Sequence, residues 1–65
     1  MKYRIAYYGD KYLCWRDDQK RFIPAEMRLY VTVYKTLEDA MKAAHRIKHD
    51  YATGWADNIY IESFV

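Results

Sequence analysis

Residues 2–8 alternate between two sets of side chains with a period of two. Alternation of this kind, in a segment rich in aromatic residues, is typical of a β-strand whose side chains point to opposite faces. We therefore predict a first strand over 2–8, with Tyr3, Ile5 and Tyr7 on one face and Arg4, Ala6 and Tyr8 on the other.

A glycine follows this strand and indicates a hairpin. Gly9 and Asp10 form a Gly-X pair, and glycine adopts the positive φ of a tight two-residue loop without a steric penalty. We predict that residues 11–16 return as a second strand, in a register that places Tyr7 opposite Tyr12.

Turn and proline signals divide the middle of the chain. Residues 17–19 predict a polar turn, and 20–23 then have the composition of a short return strand that ends at Pro24. Residues 25–28 form either one helical turn or an irregular link, and the pattern leaves both alternatives open.

Residues 29–34 alternate again and predict a further strand. The aliphatic side chains fall on one face and the tyrosines on the other, in the two sets Leu29, Val31, Val33 and Tyr30, Thr32, Tyr34. We expect the aliphatic face to point into the core and the tyrosines to point outward.

Residues 37–51 carry the clearest helical pattern. Thr36 is a favourable N-cap, and Asp39 three residues later completes a Thr-x-x-Asp capping box. An apolar stripe with helical spacing consists of Leu37, Ala40, Met41, Ala44, Ile47 and Tyr51. The small residues of this stripe predict close packing on a sheet, and Gly54 predicts the end of the helix.

A last strand over 58–65 completes the predicted fold. Its inward side chains are Ile59, Ile61 and Ser63, and its outward side chains are Tyr60, Glu62 and Phe64. The fold class is α+β with two layers, in which one helix covers one face of a mostly antiparallel sheet of three or four strands. Because the helix joins 29–34 to 58–65, a right-handed crossover predicts that these two strands are parallel. We expect the helix to rest on Ile5 or Leu13, Val31, Val33, Ile59 and Ile61.

Length and composition indicate one small domain. The 65 residues include 11 Lys and Arg and 9 Asp and Glu, a formal net charge of +2, so we expect residues 1–65 to form a single folded domain that is not strongly basic. Cys14 is the single cysteine, which excludes an intrachain disulfide. The chain shows neither an apolar signal-peptide core nor a stretch of membrane-spanning length, and we therefore expect a cytoplasmic protein with no membrane partner.

The order of these segments is similar to that of a group of known proteins. The chain resembles the small orphan proteins of bacteriophages and prophages in the segments MKYRIAYYGDKYLCW, YVTVYKTLEDAMKAAHRIKHDY and IYIESF. Those proteins open with a hairpin, enter a helix at a T-x-E-x-A start and close with a strand. The resemblance covers nearly the whole chain without a specific functional motif. It implies a mobile-element origin and a role in binding a host protein, and it transfers no site residue.

The residues with catalytic or metal-binding chemistry favour structural interpretations. His45 and His49 lie one helical turn apart, but a metal site needs further ligands, and a solvated helix flank explains them. Cys14 lies within a strand between Leu13 and Trp15, where a cysteine acts as a small buried hydrophobe. We therefore expect no enzymatic activity, no metal and no cofactor.

The aromatic content points to a binding surface. Aromatic residues make up 18% of the chain, more than one helix can cover, so several should be exposed on the open sheet face. Tyrosine provides a large contact area with few rotatable bonds, which suits interfaces. The predicted protein interface consists of Tyr30, Tyr34, Tyr60 and Phe64. The same open face predicts a homodimer formed through the sheet.

Basic residues provide the alternative hypothesis, a nucleic-acid-binding domain. Basic and aromatic side chains together on a sheet are typical of single-stranded nucleic-acid binding. The residues for this role are Lys11, Arg16, Lys20, Arg21 and Arg28. Asp10, Asp17 and Asp18 dilute that patch, so a protein partner is the preferred hypothesis.

Overall fold

Four β-strands and one α-helix form two layers in the computed structural model, which describes residues 1–50 and 58–65. The elements are β1 (Lys2–Tyr8), β2 (Tyr12–Arg16), β3 (Arg21–Pro24), α1 (Leu37–Asp50) and β4 (Ile59–Phe64). The sheet has the order β3-β2-β1-β4, and each neighbouring pair is antiparallel. The predicted α+β fold with one helix on an antiparallel sheet is confirmed, and so is the short return strand before Pro24.

The register predicted for the first hairpin is wrong by one residue. Tyr8 lies opposite Tyr12 and Tyr7 opposite Leu13, so the loop contains three residues. Gly9 does not adopt a positive φ, and its N–H donates to the Lys11 carbonyl at 3.4 Å. The ring of Tyr7 explains the glycine instead, because a Cβ at position 9 would lie 2.5 Å from the Tyr7 hydroxyl oxygen.

The strand predicted over 29–34 is also wrong. Residues Arg28–Tyr30 form a 3-10 turn, and Leu29 is 94% exposed. The following residues lie between β1 and β2 where those strands separate: the Thr32 N–H donates to the Trp15 carbonyl at 3.0 Å, and Tyr34 pairs with Tyr3. The segment meets β1 at this isolated bridge alone and forms no ladder with it.

Because residues 29–34 do not form a strand, the topology differs from the predicted one. The parallel pairing of the last strand with 29–34 is wrong, since β4 pairs antiparallel with β1 along its whole length. In this register Arg4 lies opposite Glu62 and Ile5 opposite Ile61. The crossover rule applies to two strands of one sheet, and the segment before α1 is not such a strand.

Helix α1 confirms the predicted start at Leu37 and the predicted cap, and it continues to Asp50, the last residue described before the gap. The Asp39 N–H donates to Thr36 Oγ1 at 3.1 Å, as expected for an N-cap. The buried face is the predicted one and consists of Ala40, Ala44 and Ile47. Leu37 and Met41 depart from the prediction, since both are about half exposed. The predicted roles of Tyr51 and Gly54 lie outside the described residues.

Two hydrophobic clusters lie on opposite faces of the sheet. The cluster under α1 contains Ile5, Trp15, Ala44, Ile47 and Ile59, with Ile61 packed against it. The cluster on the other face contains Ala6, Cys14, Ile23 and Val31. Val31 and Val33 therefore do not support the helix as predicted: Val31 packs on the opposite face, and Val33 is exposed. On this second face Val31 covers Ala6, Cys14 and Ile23, and the part that carries Tyr8, Tyr12 and Tyr60 stays open.

Candidate functional site

The open part of the sheet face opposite α1 presents a group of aromatic and charged side chains, here called the tyrosine face. It consists of Arg4 and Tyr8 on β1, Tyr12 on β2, and Tyr60, Glu62 and Phe64 on β4. Tyr60 is 52% exposed, Tyr8 45% and Tyr12 38%. Alternation along the strands brings these residues to one face, because side chains two positions apart share a side.

Glu62 organises the tyrosine face. Its carboxylate accepts hydrogen bonds from the hydroxyls of Tyr8 and Tyr12 and from Arg4 Nε at 3.1 Å. A second Arg4 nitrogen, Nη2, donates to the Tyr12 hydroxyl at 3.0 Å. Arg4 can contact this carboxylate because it lies directly opposite Glu62 on the neighbouring strand. Tyr8 and Tyr12 lie directly opposite each other on the same face, so both hydroxyls can donate to it. Charged and phenolic groups thus satisfy one another within the face.

Ring contacts fix the same side chains further. The rings of Tyr8 and Tyr12 stack with centroids 4.8 Å apart and planes 12° apart. Tyr60 contacts Tyr8 edge-on at 5.6 Å, and the Arg4 guanidinium lies 5.1 Å from the centre of the Phe64 ring. Rings held by neighbours and by hydrogen bonds lose little conformational entropy when a partner docks on them.

The electrostatics of the face follow from these contacts. Partial burial favours the neutral form of Glu62, but the hydrogen bonds from Tyr12, Tyr8 and Arg4 outweigh it and hold the pKa of that carboxyl below its usual value. Burial and the hydrogen bond to Glu62 raise the pKa of Tyr12, and the hydrogen bond to Glu62 raises the pKa of Tyr8. The face therefore carries one carboxylate and one guanidinium with neutral phenols around neutral pH.

A groove opens beside the tyrosine face. It has a volume of about 370 Å³ and is lined by Arg4, Phe64, Val31, Val33 and Arg28. Its walls combine apolar side chains with two guanidinium groups, one of which, Arg4, is already paired with Glu62. The groove is suited to an apolar side chain that has an acidic neighbour.

Replacement of Glu62 by Gln should bring the titration of two tyrosines back toward the ordinary pKa of about 10. The amide carries no charge, so the neutral phenols of Tyr8 and Tyr12 lose the anionic acceptor that stabilises them. A spectrophotometric titration of phenolate formation measures this change. Burial raises the pKa of Tyr34 to about 12, and this residue does not contact Glu62, so its titration should not change.

The same contacts predict how stability depends on pH. The pKa of Glu62 is lowered by folding, so its contribution is present above the ordinary value of about 4.3 and is lost as the pH falls through the lowered value. The phenol pKa values are raised, so their contribution is lost as the pH rises above about 10. In urea unfolding, the free energy of unfolding of Glu62→Gln should fall less than that of wild type at both low and high pH. Glu26→Gln, which replaces an exposed acid, should match wild type. An identical pH profile for wild type and Glu62→Gln would contradict this role.

The structure brings together two of the four predicted interface residues. Tyr60 and Phe64 lie on the tyrosine face. Tyr30 is exposed on the 3-10 turn, where its ring lies 4.9 Å from the Arg16 guanidinium. Tyr34 packs on the helix side of the sheet, and its buried hydroxyl has no hydrogen-bond partner among the described residues. The chain crosses to that side between β1 and β2, which the alternation in 29–34 does not indicate.

Four residues of the tyrosine face are missing from the predicted interface: Arg4, Tyr8, Tyr12 and Glu62. The alternation in β1 already assigns Arg4 and Tyr8 to the face opposite Ile5, and that in β4 assigns Glu62 to its outer face. What the pattern lacks is the pairing of β1 with β4, which places Arg4 across from Glu62. The hairpin shift adds Tyr12, because the true register puts it beside Tyr8.

The five residues of the nucleic-acid hypothesis fall into two groups: Arg16, Lys20 and Arg21 lie together at the β2–β3 turn, where Arg16 is opposite Arg21, and Lys11 and Arg28 line one hollow. Arg16 forms an ion pair with Asp18 at 2.8 Å, Lys20 one with Asp17 at 3.0 Å, and Arg21 Nε donates to Gln19. Lys11 lies in the first hairpin loop and Arg28 begins the 3-10 turn beside the groove. Asp18 and Asp17, which are close to these basic residues in the sequence, thus form ion pairs with Arg16 and Lys20.

The other candidate residues carry structural features. Cys14 is fully buried, and burial raises the pKa of its thiol. His45 and His49 are exposed on α1, and His49 Nδ1 lies 3.1 Å from the Asp50 carboxylate. Across residues 1–50 and 58–65, no group of three or more His, Cys, Asp or Glu side chains is placed to hold a metal ion. Within the same ranges, the helix that is present is too short and too polar to cross a membrane.

Comparison with known proteins adds no relative, since neither the protein-family models, nor the curated proteins, nor the solved structures contain a match to this chain.

Proposed function

We propose that this protein is a non-enzymatic binding module that recognises another protein through its tyrosine face. The observation that carries the proposal is a set of three partly exposed tyrosine rings on one open sheet face: the Glu62 carboxylate holds Tyr8 and Tyr12, and Tyr60 packs edge-on against Tyr8. Aromatic side chains of this kind dominate the energetically important centres of protein interfaces.

The polar groups of the face support this function. Burial of an unpaired charge under a partner is unfavourable, but Arg4 and Glu62 already neutralise each other at 3.1 Å. A partner can therefore cover the tyrosine rings without leaving either charge unpaired. The same pairing fixes the positions of Tyr8 and Tyr12 before any partner arrives.

The groove beside the face indicates the chemistry of the partner. An apolar side chain fits against Val33 and Phe64, and a neighbouring carboxylate fits Arg28 at the rim. The resemblance to small bacteriophage and prophage proteins makes a host protein in the bacterial cytoplasm the partner that we propose. The interaction requires no cofactor, no metal and no membrane.

Nucleic-acid binding is the competing function, and salt separates the two. Each phosphate contact releases condensed counterions, so nucleic-acid affinity falls steeply as the salt concentration rises. An interface centred on tyrosine rings depends mainly on apolar contact and changes little. The measurement is capture from a bacterial lysate on the immobilised protein, with and without nuclease, at low and at high salt.

We expect a protein that is retained after nuclease treatment and at high salt. Arg16→Glu combined with Arg21→Glu serves as the control and should leave this capture unchanged, since both residues lie outside the tyrosine face. Recovery of nucleic acid alone, lost in that double variant, would overturn the proposal and favour the alternative.

A further inference from the structure

The outer edge of β4 is unpaired in the described part of the chain. The sheet order is β3-β2-β1-β4, so β4 is hydrogen-bonded on one side only. An exposed edge presents a row of N–H and C=O groups that another strand can pair with. The other edge strand, β3, has four residues and ends at Pro24, whereas β4 has six residues and contains no proline.

The alternation of hydrogen bonds shows which groups this edge presents. Tyr3 and Tyr34 exchange backbone hydrogen bonds at 2.9 and 2.8 Å, so the polar groups of Tyr3 point away from β4. Tyr3 lies opposite Ser63, which makes these two residues a non-hydrogen-bonded pair. Because the two kinds of pair alternate along an antiparallel ladder, the pairs formed by Ile61 and Ile59 are of the same kind. The N–H and C=O groups of Ile59, Ile61 and Ser63 therefore point to the outer edge.

The features by which proteins protect an edge strand are weak in β4. Native edges often carry lysine, proline or inward-pointing charges that prevent pairing. The strand has the sequence IYIESF, and its only charged side chain, Glu62, is held over the sheet by Arg4, Tyr8 and Tyr12. Among residues 1–50 and 58–65 nothing covers this edge, which can therefore pair with a second strand of compatible side chains.

We propose that a second copy of this chain occupies that edge, with the two β4 strands antiparallel and a two-fold axis at Ile61. In this register Ile61 faces Ile61 of the partner subunit, and Ile59 faces Ser63 of the partner subunit. The three pairs exchange two hydrogen bonds each, so all the outward backbone groups of Ile59, Ile61 and Ser63 are satisfied.

The side chains favour this register over its neighbours. Tyr60 comes to lie directly opposite Glu62 of the partner subunit, where a phenol can donate to a carboxylate. An axis at Glu62 would place two carboxylates opposite each other, which is unfavourable. An axis at Tyr60 would form only two of the three pairs within Ile59–Phe64. The β4 strand is thus complementary to itself in one register.

The proposed dimer also accounts for the exposure of β4. Ile61 is half-buried on the helix side, and the opposing Ile61 of the partner subunit would cover it further. A domain of this size has a small core, and association is one way to stabilise it. The two tyrosine faces become continuous across the axis on one side of an eight-stranded sheet, four strands from each copy, with both helices on the other side.

Proline at position 61 or 63 tests the proposal, because it removes an N–H that points to the outer edge and leaves the ladder with β1 intact. The mass in solution is measured by light scattering over a wide range of protein concentration. We expect wild type to rise from 7.9 kDa to twice that mass, and Ile61→Pro and Ser63→Pro to remain at 7.9 kDa with the circular dichroism of the folded chain. The controls Ile61→Thr and Ser63→Ala keep the N–H and should dimerise.

Two results would overturn the proposal. The first is a wild-type mass of 7.9 kDa at every concentration. The second is a folded proline variant that dimerises as wild type does. Ser63→Pro keeps the test decisive if Ile61→Pro does not fold, since Ser63 is exposed and contributes little to the core. Ile61→Pro and Ser63→Pro keep every side chain of the tyrosine face, so capture by these variants tests the proposed function separately from the dimer.

Discussion

Replacement of Ala44 by Arg should remove most of the free energy of unfolding of this protein. Ala44 is 8% exposed and packs between α1 and the sheet in the cluster that contains Ile5, Ile47 and Ile59. An arginine there introduces excess volume and a charge without a partner, and we expect a loss of about 3 kcal/mol or more. Domains of this size rarely have more than about 3–5 kcal/mol of stability.

His45→Arg is the matched control for this substitution. It introduces the same side chain one position along the helix, where residue 45 is exposed, and it should leave the stability nearly unchanged. Thermal unfolding followed by circular dichroism measures both variants. An Ala44→Arg variant that melted within about one degree of wild type would show that the helix does not pack through this face, because 1 kcal/mol shifts the midpoint by about 4–8 °C.

Replacement of Trp15 by Ala should have an effect of similar size on the same core. Trp15 is 2% exposed, contacts the Phe22 ring edge-on at 5.0 Å and donates from Nε1 to Asp17 at 3.2 Å. Truncation of such a side chain costs about 3–5 kcal/mol, because the cavity that remains collapses only in part. The free energy of unfolding of Trp15→Ala, measured by urea unfolding, should therefore be near zero, with little folded protein even without denaturant.

Trp15→Phe separates the contribution of the ring from that of the hydrogen bond. The phenylalanine keeps an aromatic side chain beneath α1 but cannot donate to Asp17. We expect Trp15→Phe to remain folded, with a stability between those of wild type and Trp15→Ala. Equal stabilities of Trp15→Ala and wild type would mean that the cluster beneath the helix is not the main core.

Local patterns were sufficient to predict the elements that depend on near neighbours. The N-cap at Thr36 and the spacing of Ala40, Ala44 and Ile47 are contained in one short segment, and the helix and its buried face follow from them. The alternation in β1 and β4 likewise assigns each side chain to a face. These predictions require no knowledge of which strand lies beside which.

The predictions that failed depend on contacts between distant parts of the chain. Residues 29–34 alternate as a strand does, but Arg28–Tyr30 form a 3-10 turn and the rest of the segment meets β1 only at the bridge between Tyr34 and Tyr3, so tertiary context overrides the local pattern. Gly9 suggests a two-residue loop, whereas the Tyr7 ring above it is what requires a glycine. Neither the single bridge nor the ring position can be read from neighbouring residues.

The tyrosine face was predicted in part for the same reason. The outward side of β4, with Tyr60 and Phe64, follows from alternation alone. The central contact between Arg4 and Glu62 joins positions 58 residues apart and depends on the pairing of β1 with β4. Tyr34 was assigned to this surface because the pattern treats 29–34 as one strand, although the chain there passes to the helix side.

Two double alanine variants decide whether the tyrosine face recognises a protein. The double variant Tyr8→Ala with Tyr60→Ala is compared with Leu37→Ala with Met41→Ala, a pair that is exposed to a similar degree on α1. After circular dichroism has shown that both are folded, each is used in place of wild type to capture the partner at high salt. We predict that the tyrosine pair lowers capture by about tenfold or more and that the helix pair does not change it. Equal capture by the tyrosine pair and wild type would contradict the account.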